Sequence, residues 1–162
     1  MDATADELAG VVDLFGGLTR AELERALAEA AFRADGRSVD EAALAETIDS
    51  ALASFALVRY DRADEGADGD AESLFIAGPT AFPTLPEHAE DLPHILDVDP
   101  RRPDREALGE TVCERFAGAA DAAIEAGDDD RIHRLIDVSY DVDAWAPVDV
   151  TDDRRRLEAA LE

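Results

Sequence analysis

The chain has 162 residues and carries 40 acidic side chains against 15 basic ones, all arginine, for a formal net charge of −25. A length of this order accommodates one domain or two small ones. The single cysteine, Cys113, excludes an internal disulfide and a four-cysteine zinc site. An acidic N-terminus and the lack of any apolar run of about 20 residues predict a cytoplasmic chain without a membrane span.

Three helices are predicted before residue 56. Apolar residues at helical spacing predict the first over 4–16, where a pair of glycines ends it. A capping box formed by Thr19 and Glu22 opens the second helix, whose apolar stripe runs on to Phe32. A further capping box, starting at Ser38, opens the third helix, which extends to about residue 54.

The pattern then changes to a hairpin and a proline-rich stretch. Residues 56–60 and 73–77 are typical of two strands, joined by a loop over 61–72 that has no large apolar residue. Six of the seven prolines lie within 79–103. This stretch also carries large apolar residues, which predicts that it packs against the rest of the protein. A short helix is favoured around residues 87–95.

The last third is predicted to be helical. One helix covers 104–126, and three aspartates at 128–130 open the next, in which Ile136 is the last inward residue. Residues 138–150, which include the only tryptophan, are interpreted as an irregular segment that packs across the core. Thr151 caps a terminal helix whose Leu157 and Leu161 point inward.

Three short helices followed by a two-stranded hairpin is the order of a winged helix-turn-helix domain. The stretch from Leu14 to Leu23 resembles the junction between the first two helices of such domains. The resemblance implies a winged-helix-like unit over residues 1–80. Together with the patterns that follow it, the sequence predicts a mainly α (α+β) fold, in which this unit is joined by a proline-rich segment, 81–103, to a helical unit over 104–162. We expect the two units to pack together.

The composition also resembles that of haloarchaeal proteins, and the whole chain is similar to an uncharacterised haloarchaeal family of unknown function. A net charge of this size opposes folding through self-repulsion. In about 1 M salt the Debye length falls to about 3 Å, and that repulsion largely disappears. The sequence therefore predicts a chain that is stable in concentrated salt and destabilised in dilute buffer.

Two kinds of partner follow from these patterns. The winged-helix resemblance favours a non-enzymatic regulatory or adaptor protein, and it makes DNA a candidate ligand. The third helix carries carboxylates and no arginine, so phosphate contacts would fall to arginines on or after the second helix and on the hairpin. These are Arg25, Arg33, Arg37, Arg59 and Arg62. The alternative is a protein-interaction module without a nucleic-acid role, whose aromatic and apolar contacts are Phe82, Leu85, Tyr140 and Trp145.

No sequence pattern supports catalysis, a metal or a cofactor. His88 and His94 are six residues apart, a spacing that does not match a helical metal pair. Close aspartates, such as those at 97 and 99 or at 141 and 143, are expected by chance in so acidic a chain. Cys113 has no basic neighbour to activate it, and Ser139 lies in no triad spacing. We therefore predict that the protein is not an enzyme and binds no cofactor.

The densest positive cluster is the run of three arginines at 154–156. With Arg101, Arg102 and Arg105 it would form an anion-binding face if folding brought the two groups together. Pairing of these arginines with the surrounding aspartates and glutamates is the favoured interpretation.

Overall fold

In the computed structural model of the chain, the described residues are 4–36, 39–61, 73–86, 89–98 and 100–162. The predicted loop over 61–72 lies outside them except for Asp61. The chain divides into two compact units, one ending at Arg102 and the other beginning at Pro103. We call them the N-terminal unit and the C-terminal unit. The structure is mainly helical with one small antiparallel hairpin, which confirms the predicted α+β class.

Three helices open the N-terminal unit: α1 (Ala5–Phe15), α2 (Arg20–Asp35) and α3 (Glu41–Ala53). The predicted capping box of α2 is confirmed, because the Thr19 hydroxyl accepts from the Glu22 N–H and the Glu22 carboxylate accepts from the Thr19 N–H. The prediction for α3 was wrong about its cap. Asp40 caps this helix by accepting from the Ala42 N–H at 3.0 Å, whereas the predicted cap, Ser38, lies outside the described residues.

The hairpin consists of β1 (Leu57–Asp61) and β2 (Ser73–Ala77), paired antiparallel with Arg59 opposite Phe75. A third short stretch, which the sequence pattern did not reveal, joins the sheet on the other side of β2. Leu18 and Phe75 exchange both backbone hydrogen bonds, at 3.1 and 2.7 Å. The junction between α1 and α2 is thereby attached to the hairpin, and β2 is the central strand.

A single apolar cluster forms the core of this unit. It takes residues from all three helices and from both strands, and Phe15, Leu23 and Ile48 are among its fully enclosed members. Phe32 departs from the prediction. It was predicted to continue the inward apolar stripe of α2, but it is 68 % exposed. Ala30 and Ala31 face inward, and Phe32 falls on the next, outward-facing position.

The proline-rich stretch belongs to the N-terminal unit and packs on its helices. Ala89, Leu92 and Leu96 join the core cluster, and a one-turn helix, α4 (Leu92–Ile95), lies against α2. Gly10 of α1 permits a close approach, because a Cβ there would lie 2.2 Å from the Thr84 carbonyl oxygen. The stretch therefore covers the apolar core, as its own apolar residues predicted.

The C-terminal unit contains α5 (Arg105–Ala126), α6 (Asp129–Trp145) and α7 (Thr151–Ala160). The prediction for α5 is confirmed, with Asp104 as N-cap and Gly127 as the left-handed residue that ends the helix. The irregular segment predicted over 138–150 was wrong for residues 138–145, since α6 continues to Trp145, and is confirmed for residues 146–150, which lie in neither helix. Val138 and Val142 extend its buried stripe, and this packing outweighs the low helical propensity of β-branched residues.

Helix α7 contributes little to the apolar core. Leu157 is its one buried residue, and Leu161 is only half-buried. The cap predicted at Thr151 was wrong too, because Thr151 is the first residue of the helix and its N–H and hydroxyl donate to Asp149. Polar contacts, described below, therefore fix this helix to the other two.

Candidate functional site

The arginines predicted to contact nucleic acid have different surroundings. Arg25 is exposed on α2, and Arg33 on the same helix forms an i,i+4 ion pair with Glu29 at 3.2 Å. Arg59 is exposed on β1, with its guanidinium 5.7 Å from the centre of the Phe75 ring. Arg37 and Arg62 lie outside the described residues.

The outward face of α3 is acidic. Glu41, Glu46 and Asp49 are exposed on it, together with the capping residue Asp40. The remaining exposed positions on this helix and its C-cap are alanines and serines. A recognition helix in the major groove needs donors that reach base edges and phosphates. This face would instead place carboxylates against the phosphate backbone.

A cavity of about 460 Å³ lies between the N-terminus of α2 and the face of the hairpin that carries Arg59 and Phe75. Arg20 and Glu24 line its α2 side and form an ion pair with each other at 3.1 Å. The cavity therefore combines two guanidinium groups, one carboxylate and an apolar wall. Such a lining suits a small anion or a phosphate of a larger ligand.

Of the predicted partner-binding residues in this unit, Phe82 is the most exposed, at 79 %, and Leu85 is 39 % exposed. The backbone around Phe82 is nevertheless held firmly against α1. The Phe82 N–H donates to the Asp6 carboxylate at 3.2 Å, and the Thr84 N–H donates to the Asp6 carbonyl oxygen at 3.1 Å. The Thr84 hydroxyl donates to the Phe82 carbonyl oxygen at 3.0 Å. A large apolar side chain is thus exposed to solvent on an ordered backbone.

The two predicted partner-binding residues of the C-terminal unit are both covered by arginines. The Arg154 guanidinium lies 4.0 Å from the centre of the Tyr140 ring, and that of Arg105 lies 4.6 Å from the Trp145 ring. Arg105 also donates to the Trp145 carbonyl oxygen. These aromatic rings therefore have intramolecular partners, although Tyr140 remains 57 % exposed.

Arg154 is the centre of a polar network between α6 and α7. Its Nε donates to the Ser139 hydroxyl at 2.6 Å, and its terminal nitrogen donates to the Asp143 carboxylate at 2.5 Å. Ser139 is fully buried and donates in turn to the Ile136 carbonyl oxygen. Asp143 also accepts from the Val150 N–H at 3.1 Å. The Ser139 hydroxyl therefore has both an acceptor and a donor partner within the unit.

The arginine run at 154–156 pairs with carboxylates, in the manner that the sequence favoured. Arg155 lies 3.9 Å from Asp152, and Arg156 pairs with Asp153 at 2.9 Å and with Asp121 of α5. The contacts with Asp121 raise the pKa of Arg156 above its ordinary value. An anion that bound here would have to displace these carboxylates.

Arg101 has a structural role that sequence reasoning did not identify. Its guanidinium donates to Glu22 through two nitrogens, at 2.7 and 3.1 Å, and to the Gly17 carbonyl oxygen at 3.0 Å. Burial acts to raise the pKa of the Glu22 carboxyl, but the hydrogen bonds from Arg101 and Thr19 outweigh it, and the pKa lies below its ordinary value. Arg101 thus fixes the end of the proline-rich stretch to the α1–α2 junction.

The remaining candidates for chemistry are Cys113 and the histidines. Burial raises the pKa of the Cys113 thiol, and nearby carboxylates such as Asp153 and Asp143 raise it further. The thiol is therefore less acidic, and less reactive at neutral pH, than an ordinary cysteine. His94 and His133 are exposed, and His88 lies outside the described residues. Within the described ranges no three potential ligands converge on a metal position.

Comparison with known proteins places the chain in a family. Residues 6–162 match a family of unknown function, DUF7109, and the chain belongs to it. Searches of curated proteins and of solved structures gave no match. Among the described residues, no helix has the length and apolarity that crossing a membrane requires.

Proposed function

We propose that this protein is a non-enzymatic regulatory or adaptor protein whose N-terminal unit is a winged-helix-like module that binds another protein. The element order α1, α2, α3, β1, β2 supports the module. The backbone pairing of Leu18 with Phe75 adds further support, because it attaches the junction between α1 and α2 to the hairpin and so joins the helices and strands in one unit. The buried hydroxyl of Ser139 and the raised pKa of Cys113 argue for a role other than catalysis.

The observation that carries the protein-binding role is the exposed Phe82 ring on its fixed backbone. Burying such a ring in a partner removes a large apolar area from water, and each Å² contributes about 25 cal/mol. The ordered backbone reduces the conformational entropy that association costs. Aromatic side chains presented in this way are typical of the anchors that contribute most to protein interfaces.

Affinity capture at high salt tests this function. Tagged protein is incubated with a lysate of the source cells at their native salt concentration, and captured proteins are identified by mass spectrometry. We expect a specific partner to be lost with Phe82→Ala and retained with Phe32→Ala. Phe32 is a matched control, because it is also a highly exposed phenylalanine of the same unit. Equal capture by wild type and Phe82→Ala would contradict the proposed surface.

The cavity lined by Arg20 and Arg59 favours DNA as a second candidate partner. Its two guanidinium groups lie beside the N-terminus of α2, where a phosphate would also meet the positive end of the helix dipole. The acidic face of α3 opposes this role. Fluorescence anisotropy with random-sequence duplexes at high salt compares wild type with Arg20→Ala and Arg59→Ala, which remove the two guanidinium groups of the cavity. We expect wild type not to bind the duplexes. Binding by wild type that both variants lose would instead show that the N-terminal unit binds DNA through this cavity.

The charge of the chain supports a halophilic setting for this function. With 40 acidic and 15 basic residues, electrostatic repulsion opposes folding whenever salt does not screen it. We expect the melting temperature, followed by circular dichroism, to rise steadily from dilute buffer to about 3 M KCl as the screening length shortens. A melting temperature that is independent of salt would contradict the halophilic assignment.

A further inference from the structure

Strand β1 has an outer edge that is open within the described part of the chain. Phe75 exchanges its backbone hydrogen bonds with Leu18, so its N–H and C=O point away from β1. In an antiparallel ladder, residues opposite each other share this orientation. Arg59, which lies opposite Phe75, therefore directs its own N–H and C=O away from β2 and toward the outer edge.

The same alternation places the backbone groups of Asp61 on the outer edge, because Asp61 lies two residues beyond Arg59. Within the described ranges neither residue has a backbone hydrogen-bond partner on that side. Unpaired N–H and C=O groups along an edge strand are a template for pairing with a further strand. The sheet can therefore extend beyond β1.

Side-chain charges on this edge select the strand that fits it. Arg59 and Asp61 have opposite charges, and their alternate positions place them on the same face of the sheet. The Asp61 carboxylate is oriented by the Ser73 hydroxyl, which donates to it at 2.5 Å. The Arg59 side chain lies along the Phe75 ring and has no ion pair among the described residues. An ideal partner strand would present an acidic residue opposite Arg59 and a basic residue opposite Asp61.

A second copy of β1 meets this requirement in one antiparallel register. When the two-fold axis passes between Tyr60 and its copy, Arg59 of each chain lies opposite Asp61 of the other, and both residues use their free backbone groups. The half-buried Tyr60 rings meet at the axis, where opposite side chains approach most closely. A register with the axis at Arg59 would instead set like charges opposite each other, which is unfavourable.

We propose that two copies of this chain associate through their β1 edges, in the register that pairs Arg59 with Asp61 twice, to form a continuous antiparallel sheet. This interface is independent of the Phe82 surface and of the partner proposed above. It is small in comparison with the interfaces of permanent dimers, so the dimer is weak and dissociates on dilution. Its specificity comes from the self-complementary charge pair.

Charge reversal provides a direct test, because the two single variants complement each other. Arg59→Asp and Asp61→Arg each place like charges opposite one another in both cross-strand pairs of a homodimer. An equimolar mixture restores both opposite-charge pairs in the heterodimer. Sedimentation velocity as a function of concentration measures association, and circular dichroism verifies that each variant is folded. Arg25→Asp on α2 and Glu114→Arg on α5 are controls that make the same changes in net charge at other exposed positions.

We expect wild type and both controls to dimerise, each single variant to dimerise at least tenfold more weakly, and the mixture to recover the wild-type affinity. The difference in dimer affinity between wild type and the single variants should diminish as the salt concentration is raised, because screening weakens both the attraction and the repulsion between these charges. A wild-type chain that stays monomeric up to about 1 mM would overturn the proposal, since even a weak dimer is populated there. Single variants that dimerise like wild type, or a mixture that does not recover, would also overturn it.

Discussion

The N-terminal and C-terminal units each end a helix on a left-handed glycine, with different consequences. Gly16, at the end of α1, has a φ of 78°, and Gly127, at the end of α5, has a φ of 64°. A Cβ at Gly16 would lie 1.8 Å from the carbonyl oxygen of Arg101, whereas a Cβ at Gly127 would meet nothing within 4 Å. The comparison shows that the same local motif is a simple helix stop in one unit and a packing site for a distant segment in the other.

The two units also place their buried polar contacts differently. In the N-terminal unit, Arg101 and Glu22 fasten the proline-rich stretch onto an extensive apolar core. In the C-terminal unit, Arg154 and Asp143 hold α7, which has a single buried apolar residue. Polar contacts therefore supplement the core in one unit and replace missing apolar contact in the other.

Alanine substitution at the two glycines should show the largest difference between the units. Gly16→Ala combines a strained left-handed conformation with a collision against the backbone of Arg101, and we expect it to cost about 3 kcal/mol or more of unfolding free energy. Gly127→Ala adds only the conformational strain, about 1 kcal/mol. Urea denaturation at high salt measures both values. Equal costs would mean that the segment around Arg101 does not pack tightly on α1.

A smaller effect is expected when the arginine contacts of α7 are removed. Arg154→Ala leaves Asp143 without its ion-pair partner and the buried Ser139 hydroxyl without a donor, so we expect a loss of about 2 kcal/mol. Arg155→Ala is the matched control, because its ion pair is exposed and should contribute at most about 0.5 kcal/mol. Thermal unfolding of the two variants makes the comparison. If Arg154→Ala were as stable as Arg155→Ala, the contacts of Arg154 with Asp143 and Ser139 would not be what holds the helix.

The smallest expected effect is pH-dependent and concerns Glu22. Because its pKa is lower in the folded protein than in the unfolded chain, its stabilising contribution is fully present above the unfolded pKa and disappears as the pH falls through the folded pKa. Glu22→Gln should therefore cost about 1 kcal/mol at neutral pH and progressively less in acid.

The control for this titration is Glu24→Gln, which removes only an exposed ion pair with Arg20. Its free energy of unfolding should stay close to that of wild type at every pH. Denaturation curves from pH 7 down to about pH 3 cover the range in which carboxylates titrate. If the loss of unfolding free energy caused by Glu22→Gln did not change over this range, the contact between Arg101 and residue 22 would not depend on a charged carboxylate.

Local patterns in the sequence predicted most of the secondary structure. The helices α1, α2, α3 and α5 and both strands lie where apolar periodicity and capping residues placed them. The errors occurred where two local signals competed. Ser38 and Asp40 both suit a helix cap, and the structure uses Asp40. Tyr140, Trp145 and Pro147 suggested an irregular segment over 138–150, but burial of Val138 and Val142 keeps the chain helical as far as Trp145.

The candidate surfaces were less accessible to sequence reasoning. The apolar residues of the proline-rich stretch indicated that it packs, and the structure separates the buried Leu92 from the exposed Phe82. The third strand position at Leu18 and the contact between Arg101 and Glu22 join residues that are far apart in the chain. No local spacing predicts such pairs, since they depend on how the elements pack.

The sequence by itself determined the acidic surface, the helical class and the positions at which most helices begin and end, because these depend on composition and on contacts within a few residues. Only the tertiary structure decided which arginines pair with carboxylates and which remain exposed, as with Arg101 and Arg59. It also decided that Gly16 is a contact site and Gly127 is not. Those outcomes depend on the distances between segments that are far apart in the sequence, and packing of the core sets these distances.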